Sequence, residues 1–313
     1  MSRTLLLTEA PFRDLLSRAL IAEAASAVPH TPPMLVATRA PRAPPGFAAV
    51  PPFPAPPGIE QVMIAGAFLS RDALEEALDT AADAVAAGVP LIVHTLSLEG
   101  DAARPVPPFG AEVLERAAEI TVRDHRSFNI LLLWRVAAPV RLAPYPERHA
   151  APDPRLAATL PSGPLLGLSI RGGEEMRRAW SARVPALRRL LAPAAGWPVV
   201  PLPTVQPGTP GDDLSGSRTF AEAVLPGAEA LLPDLADPVA WRRLLTPARL
   251  KGLVARCALV VTNRDLPAAY AIAAGIPVLG IALGADRRIV SCLATLANDL
   301  PPGSNLVHPL AGT

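Results

Sequence analysis

"VVTNRDLPAAYAIAAGIPVLGIALG", residues 260–284, decides how the rest of this chain is read. It opens on an apolar run, sets Arg264 and Asp265 side by side, and then carries no charge from Leu266 to Ala285. A stretch of that length is long enough in principle to span a bilayer. However, Pro267, Gly275, Pro277, Gly280 and Gly284 divide it, and "IPVLGIA" has the β-branched, Gly/Pro-bounded look of a short buried strand. The expected structure is a strand, a turn, a helix and a second strand parallel to the first.

The same rhythm runs outward in both directions. From the N-terminus, "TLLL", "FRDLLSRALIAEAA" and "MLVAT" precede a proline-rich loop; "EQVMIAG", "SRDALEEALDTAADAVAAG" and "PLIVHTLS" follow it. "AEVLERAAE", "ITVRD", "SFNILLLWR" and "PVRLAP" continue the alternation to about residue 145. Ser70 with Glu75 and Glu76 suits a helix start, and Gly88 before Pro90 stops it. "YPERHAAPDPRLAATLPSGP" reads as a linker. A second series then begins with "LLGLSIR", "EEMRRAWSARVPALRRLL" and "WPVVPLP", and ends through "ARLKGLVARC", the opening stretch and "RRIVSCLATLAN". Strands alternating with helices in this way make βαβ units and parallel sheets. The expected class is α/β: two tandem Rossmann-like domains, 1–147 and 164–313, joined by a linker at 148–163, their parallel sheets facing a central cleft where ligands bind.

Composition narrows the function. Hydrophobic residues make up 50% and charged residues 18%, which excludes a disordered chain, and 39 prolines among 313 residues must punctuate many loops. Net charge is +1, with no basic block interleaved with aromatics, so nucleic acid is not an expected partner. Cys257 and Cys292 lack metal or disulfide spacing and are expected as buried free thiols. Arg13, Asp14 and Arg18 interrupt the apolar run near the N-terminus, so no signal peptide is expected there; with the prolines and glycines of 266–285 arguing against a membrane span, the location expected is cytoplasmic. The oligomeric state is left open.

Candidate chemistry gathers on strand-to-helix turns. "ITVRDHRSFNILL" places Arg123, Asp124 and His125 on one; the arginine and the helix N-terminus are candidates for holding an anion, Asp124 or His125 for moving a proton. The structural alternative is that Asp124 or Ser127 caps the helix while Arg123 pairs with a carboxylate. "LLGLSIRGGEE" places Arg171 before Gly172 and Gly173, which would let backbone amides approach an anion; a plain glycine turn with a solvated arginine is the alternative. "VVTNRD" places Asn263, Arg264 and Asp265 on a third turn, with Arg264 the expected anion ligand and Asp265 either an N-cap or a proton carrier. His94 faces the expected cleft or is a satisfied structural histidine. Asp212 and Asp213 suit a metal, sugar hydroxyls or an acidic surface loop equally. Trp134, Trp180, Trp197 and Trp241 are candidates for stacking on sugar rings.

The order of these motifs resembles the polysaccharide pyruvyltransferase family. The resemblance rests on "EITVRDHRSFNIL", "LLGLSIR" and "CALVVTNRDLPAAYAIAAGIPVLGIALGADRRI", and covers roughly residues 60 to 297 in arrangement. It implies a two-domain fold of the glycosyltransferase B type whose second domain binds the donor. The implied activity is transfer of the pyruvyl unit of phosphoenolpyruvate, a co-substrate with no further cofactor, to sugar hydroxyls of a cell-surface or exported glycan; no metal ligands are assigned, and the metal requirement is left open. Such chemistry needs arginines for the donor's carboxylate and phosphate, and an acid and a base for the transfer. The chain departs from the family where a histidine usually stands two residues beyond the last arginine: here Leu266 follows Asp265. "VMIAGAFLS" and "IVHTLSLEG" also lack glycines common there. Two rival readings stand beside this one. The first is a glycosyltransferase of the same fold using a nucleotide-sugar, because "AAYAIAAGIPVLGIA" resembles the donor-holding segment of such enzymes. The second is a catalytically silent homologue that binds a glycan or a partner.

Overall fold

Strands covered by helices on both faces carry near-continuous apolar runs, and that is how the short strands of this chain read. The computed structural model describes residues 3–9, 14–38, 43, 46–52, 54–105, 108–282, 288–297 and 307–310. The chain divides into two units, Met1–Glu147 and Arg148–Thr313.

In the first unit, β1 (Thr4–Leu7), β2 (Met34–Ala37), β3 (Phe47–Val50), β4 (Gln61–Phe68), β5 (Leu91–Leu98), β6 (Ile120–Val122) and β7 (Val140–Leu142) form one parallel sheet in the order β3-β2-β1-β4-β5-β6-β7. Helix α1 (Leu15–Ala27) covers one face through Ile21 and Ala24, against Leu6, Val36 and Met63. Helices α2 (Arg71–Ala86), α3 (Pro108–Leu114) and α4 (His125–Leu133) cover the other, with Leu74, Leu78, Leu114 and Leu131 on Leu5, Ile64, Val93 and Val122. Packing outweighs capping here. The Ser70 hydroxyl caps α2 at Ala73 N, worth about 1 kcal/mol, whereas burying Leu74 and Leu78 completely contributes about 1.5–3 kcal/mol each.

The second unit has β8 (Leu166–Ser169), β9 (Val199–Pro201), β10 (Leu259–Thr262), β11 (Val278–Ile281) and β12 (Val307–Leu310), parallel in the order β12-β11-β10-β8-β9. Its helices are α5 (Glu174–Ser181), α6 (Val184–Leu190), α7 (Asp213–Val224), α8 (Pro238–Leu244), α9 (Pro247–Val254), α10 (Asp265–Ala273) and α11 (Arg288–Ala297). Strand order reverses between β8 and β10, so the carboxyl ends of those two strands form the switch point where α/β sheets accept ligands.

The opening stretch is β10, α10 and β11, with Val260 opposite Val278 and Val261 opposite Leu279. Helix α10 is buried from Leu266 through Ile272, which explains its lack of a polar face. Among the described residues no helix is long and apolar enough to cross a membrane.

Several elements differ from expectation. The proline-rich loop after "MLVAT" contains β3, an edge strand. The expected single helix 174–191 is two, because Pro185 fits the first turn of α6 but not a helix interior. "PGDDLSGS" is no surface loop: Asp212 caps α7, and both aspartates are buried. The segment read as a linker is fastened to α9. Asp153 N donates to Ala248 O (2.8 Å), Arg249 Nε reaches Asp153 Oδ2 (3.2 Å), and Lys251 Nζ donates to the carbonyls of Arg148 and Ala150. Both cysteines are buried and form no disulfide, and burial pushes the Cys257 thiol up to about 12. Trp180 meets Phe220 edge-on at 5.4 Å, and Trp241 is 1% exposed, so both serve as core.

Candidate functional site

The switch point of the second unit collects three of the turns that the sequence singles out. Strand β8 leads out through Ile170 and Arg171, β10 leads out through Asn263 and Arg264, and the first turn of α7 contacts both exits. The two strand exits are joined directly: Arg171 N donates to Asn263 Oδ1 at 2.9 Å. Thr262 Oγ1 accepts from Arg264 N at 2.8 Å and so bends the β10 exit toward α10.

Helix α7 comes in close because glycines permit it. A Cβ on Gly216 would overlap Ile170 O and come within 2.6 Å of the Arg171 carbonyl carbon, and one on Gly172 would come within 2.5 Å of Ser215 Oγ. At this distance Gly172 N donates to Asp212 O (3.0 Å), while Asp212 Oδ1 caps the helix at Ser215 N (2.8 Å). Asp213 is 1% exposed and fully engaged. Its Oδ2 accepts from Thr204 N and Thr204 Oγ1, both at 2.6 Å, and its Oδ1 accepts from Arg264 Nε at 2.6 Å. Arg264 Nη2 also donates to Gly211 O at 2.8 Å.

The consequence is a guanidinium held along one edge. Nε and Nη2 of Arg264 are used inside the protein, whereas Nη1 has no hydrogen-bond partner among the described residues, and the side chain is 18% exposed. Arg171 lies on the other side of the same loop, where a Cβ on Gly211 would come within 3.2 Å of its Nε. The two arginines picked out in the sequence thus flank one residue, Gly211, whose φ of +73° suits glycine. Asp265 is the first residue of α10, one place inside the cap, where a carboxylate complements the helix dipole. Gly173 caps α5, but the first turn of that helix carries Glu174 and Glu175, and hydrogen bonds from Arg177 and Arg178 hold Glu174 at about 2. An anion is therefore better served by the Arg264 side of the switch point than by the α5 terminus.

The first-unit residues are arranged differently. Arg123 is 1% exposed, its Nη2 3.6 Å from Glu147 Oε1 and its Cζ 4.3 Å from the Tyr145 ring centre. Asp124 accepts from Ser127 N (2.8 Å), Ser127 Oγ (3.0 Å) and Ser97 Oγ (2.9 Å), the full duty of a helix cap. His125 is exposed as the first residue of α4. His94 Nε2 lies 2.7 Å from Glu23 Oε2, and Nδ1 lies 3.4 Å from Thr121 Oγ1. These are the structural alternatives open for Arg123, Asp124 and His94. Among the described residues no group of three or more His, Cys, Asp or Glu side chains could hold a metal ion. The residue that sequence reading undervalued is Asp213. Its signal was present: two aspartates ahead of "LSGSRTFAEAV", where Phe220 and Val224 stand four residues apart, at helical spacing.

The sequence matches no protein-family model and no curated protein. Solved structures are similar in fold. A putative UDP-N-acetylglucosamine 2-epimerase from Listeria monocytogenes shares 11% identity at a TM-score of 0.52, over 92% of this chain and 81% of that one. The UDP-GlcNAc 2-epimerase from Neisseria meningitidis, solved bound to UDP-GlcNAc, shares 9% at 0.51, over 93% and 85%. The enzyme from Methanocaldococcus jannaschii shares 9% at 0.51, over 99% and 89%. At such identities the likeness is one of fold: two parallel-sheet α/β units of the glycosyltransferase B type. None of the three is a pyruvyltransferase.

Proposed function

We propose that this protein is an enzyme acting on a nucleotide-sugar, with the donor's diphosphate held at the switch point of the second unit and the glycosyl group transferred to a hydroxyl acceptor. The observation that carries this reading is the guanidinium of Arg264, fixed by Asp213 and Gly211 along one edge and open along Nη1. Breaking the bond between the sugar and the diphosphate develops negative charge on the departing oxygen. Donors already oriented toward that oxygen stabilise it without reorganising at the moment of reaction. Arg264 supplies such donors, Arg171 flanks the same loop, and Asn263 fixes the β8 exit that carries Arg171. The amides of Gly172 and Gly173 lie on that turn as well, although Gly172 N is engaged by Asp212 O. The Neisseria enzyme bound to UDP-GlcNAc and a Staphylococcus aureus structure with UDP support the reading by analogy, since this fold carries a nucleotide-sugar in the one and a nucleoside diphosphate in the other.

For the proton of the acceptor, Asp265 is the candidate closest in sequence to Arg264; His125 and His94 belong to the first unit. Asp124 is spent as a cap and is given no part. Pyruvyl transfer from phosphoenolpyruvate would use the same guanidinium, so the donor decides between the readings. Calorimetric titration with UDP, GDP, dTDP and phosphoenolpyruvate separates them. A nucleoside diphosphate is expected to bind saturably, and Arg264→Ala to weaken it by about tenfold or more, the scale of a lost charge-assisted hydrogen bond. Binding of phosphoenolpyruvate alone would restore pyruvyl transfer; binding of none of the four by folded protein would leave a partner-binding homologue.

A further inference from the structure

We propose that Asp213 is the positioning residue of this anion site, an inference that rests on the nucleotide-sugar reading. Its carboxylate does not depend on Arg264 for its own orientation. Thr204 N and Thr204 Oγ1 at 2.6 Å, and Val205 N at 3.3 Å, all converge on Oδ2, anchoring the group to the β9 exit. Oδ1 is left for one partner, Arg264. A fixed carboxylate therefore orients a movable guanidinium, and the direction of control runs from the buried group to the partly exposed one.

The neighbouring residue completes the device. Asp212 O takes Gly172 N from the β8 exit, while Asp213 takes Arg264 from the β10 exit and Thr204 from the β9 exit. Two consecutive residues at the start of α7 thus tie the exits of β8, β9 and β10 in one register. Because Asp213 binds the Nε and Nη2 edge, Nη1 is the edge presented outward. Without the carboxylate the guanidinium would sample other rotamers, and each productive contact would first require ordering a long side chain. Asparagine cannot substitute. Its NH2 must face either the Thr204 and Val205 donors or the Arg264 donors, and both choices set donor against donor.

The test is a double-mutant cycle read by the affinity of whichever of UDP, GDP and dTDP the wild type binds, measured by competition against a fluorescent nucleotide so that weak binding is resolved. Asp213→Asn is expected to lower affinity about tenfold in the wild-type background and to have no further effect in the Arg264→Ala background. The Arg264 Nε–H signal in NMR, protected by the bond to Asp213, is expected to disappear in the same variant. Thr204→Val removes one anchor with little volume change; it gives the same pattern at about a threefold loss and serves as the test if Asp213→Asn does not fold. Equal losses in both backgrounds, or no loss in the wild-type background, would overturn the assignment and leave the nucleotide-sugar reading standing. Failure of all three nucleotides to bind folded wild type would defeat that reading, and the assignment with it.

Discussion

Two turns of this molecule carry the same text and end in opposite states. At 122–125 and at 262–266 an apolar strand runs into Arg-Asp and then into a helix. In the first, Arg123 is sealed against Glu147 and beneath Tyr145, and Asp124 is consumed in capping α4. In the second, Arg264 is secured along one edge by a buried carboxylate and keeps its other edge available, while Asp265 sits inside the helix start. The difference is not written in the turns. It comes from what packs on them: the segment just after β7 in one case, and the first turn of α7, some fifty residues upstream, in the other. An arginine on a strand-to-helix turn becomes a ligand only when its partner engages one edge and stops there.

That contrast can be broken by experiment, starting with the largest effect. Arg123→Ala leaves Glu147 buried without its ion-pair partner and is expected to destabilise the protein by about 3–5 kcal/mol, measured by urea denaturation, with nucleotide affinity unchanged in the folded fraction. Gly216→Ala drives a methyl group into the β8 exit and is expected to cost about 3 kcal/mol and to weaken nucleotide binding as well, because the Arg171 turn must move. Asp124→Ala removes a cap and is expected to cost about 1–2 kcal/mol, again without effect on affinity; a large loss of binding here would mean that the first turn is functional after all. Arg264→Lys preserves the charge but not the fork. Stability is expected to fall by about 1–2 kcal/mol, because lysine cannot serve both the buried carboxylate and Gly211 O, while affinity drops about tenfold.

The smallest effect concerns pH. Glu174 has its pKa depressed to about 2 by hydrogen bonds from Arg177 and Arg178, so its contribution to stability is fully present above the ordinary glutamate range and is lost only as pH falls toward 2. Being solvent-exposed, it should leave the melting temperature of Glu174→Gln indistinguishable from wild type between pH 7 and pH 5. A clear drop would show that the α5 terminus matters more than the Arg264 side of the switch point.

Much of this was legible in the sequence, for reasons that differ by element. The alternation of short apolar strands and helices is a local pattern, so β10, α10 and β11 could be read from one stretch, including the apolar helix that a length criterion alone would send into a membrane. Strand β3 was hidden because four residues between prolines carry almost no periodicity, and α7 because its start, "GDDLSG", looks like solvated loop until Gly216 is seen pressed onto Ile170. Arg264 and Arg171 were identified as a pair of turn arginines. Their meeting at Gly211, and the part of Asp213, depend on contacts across some fifty residues that no spacing rule encodes. The fate of Arg123 was open for the same reason: Glu147 could be known as its partner only once β7 was in place.

Hydrogen–deuterium exchange of the whole chain, with and without a saturating nucleoside diphosphate, tests the central claim most directly. The account predicts slowed exchange at the β8 exit around 170–174, in the loop and first turn at 208–214 and at 262–268, with residues 120–128 unchanged. Protection at 120–128 in place of these segments would contradict it, and would make the sealed arginine, not the open one, the ligand.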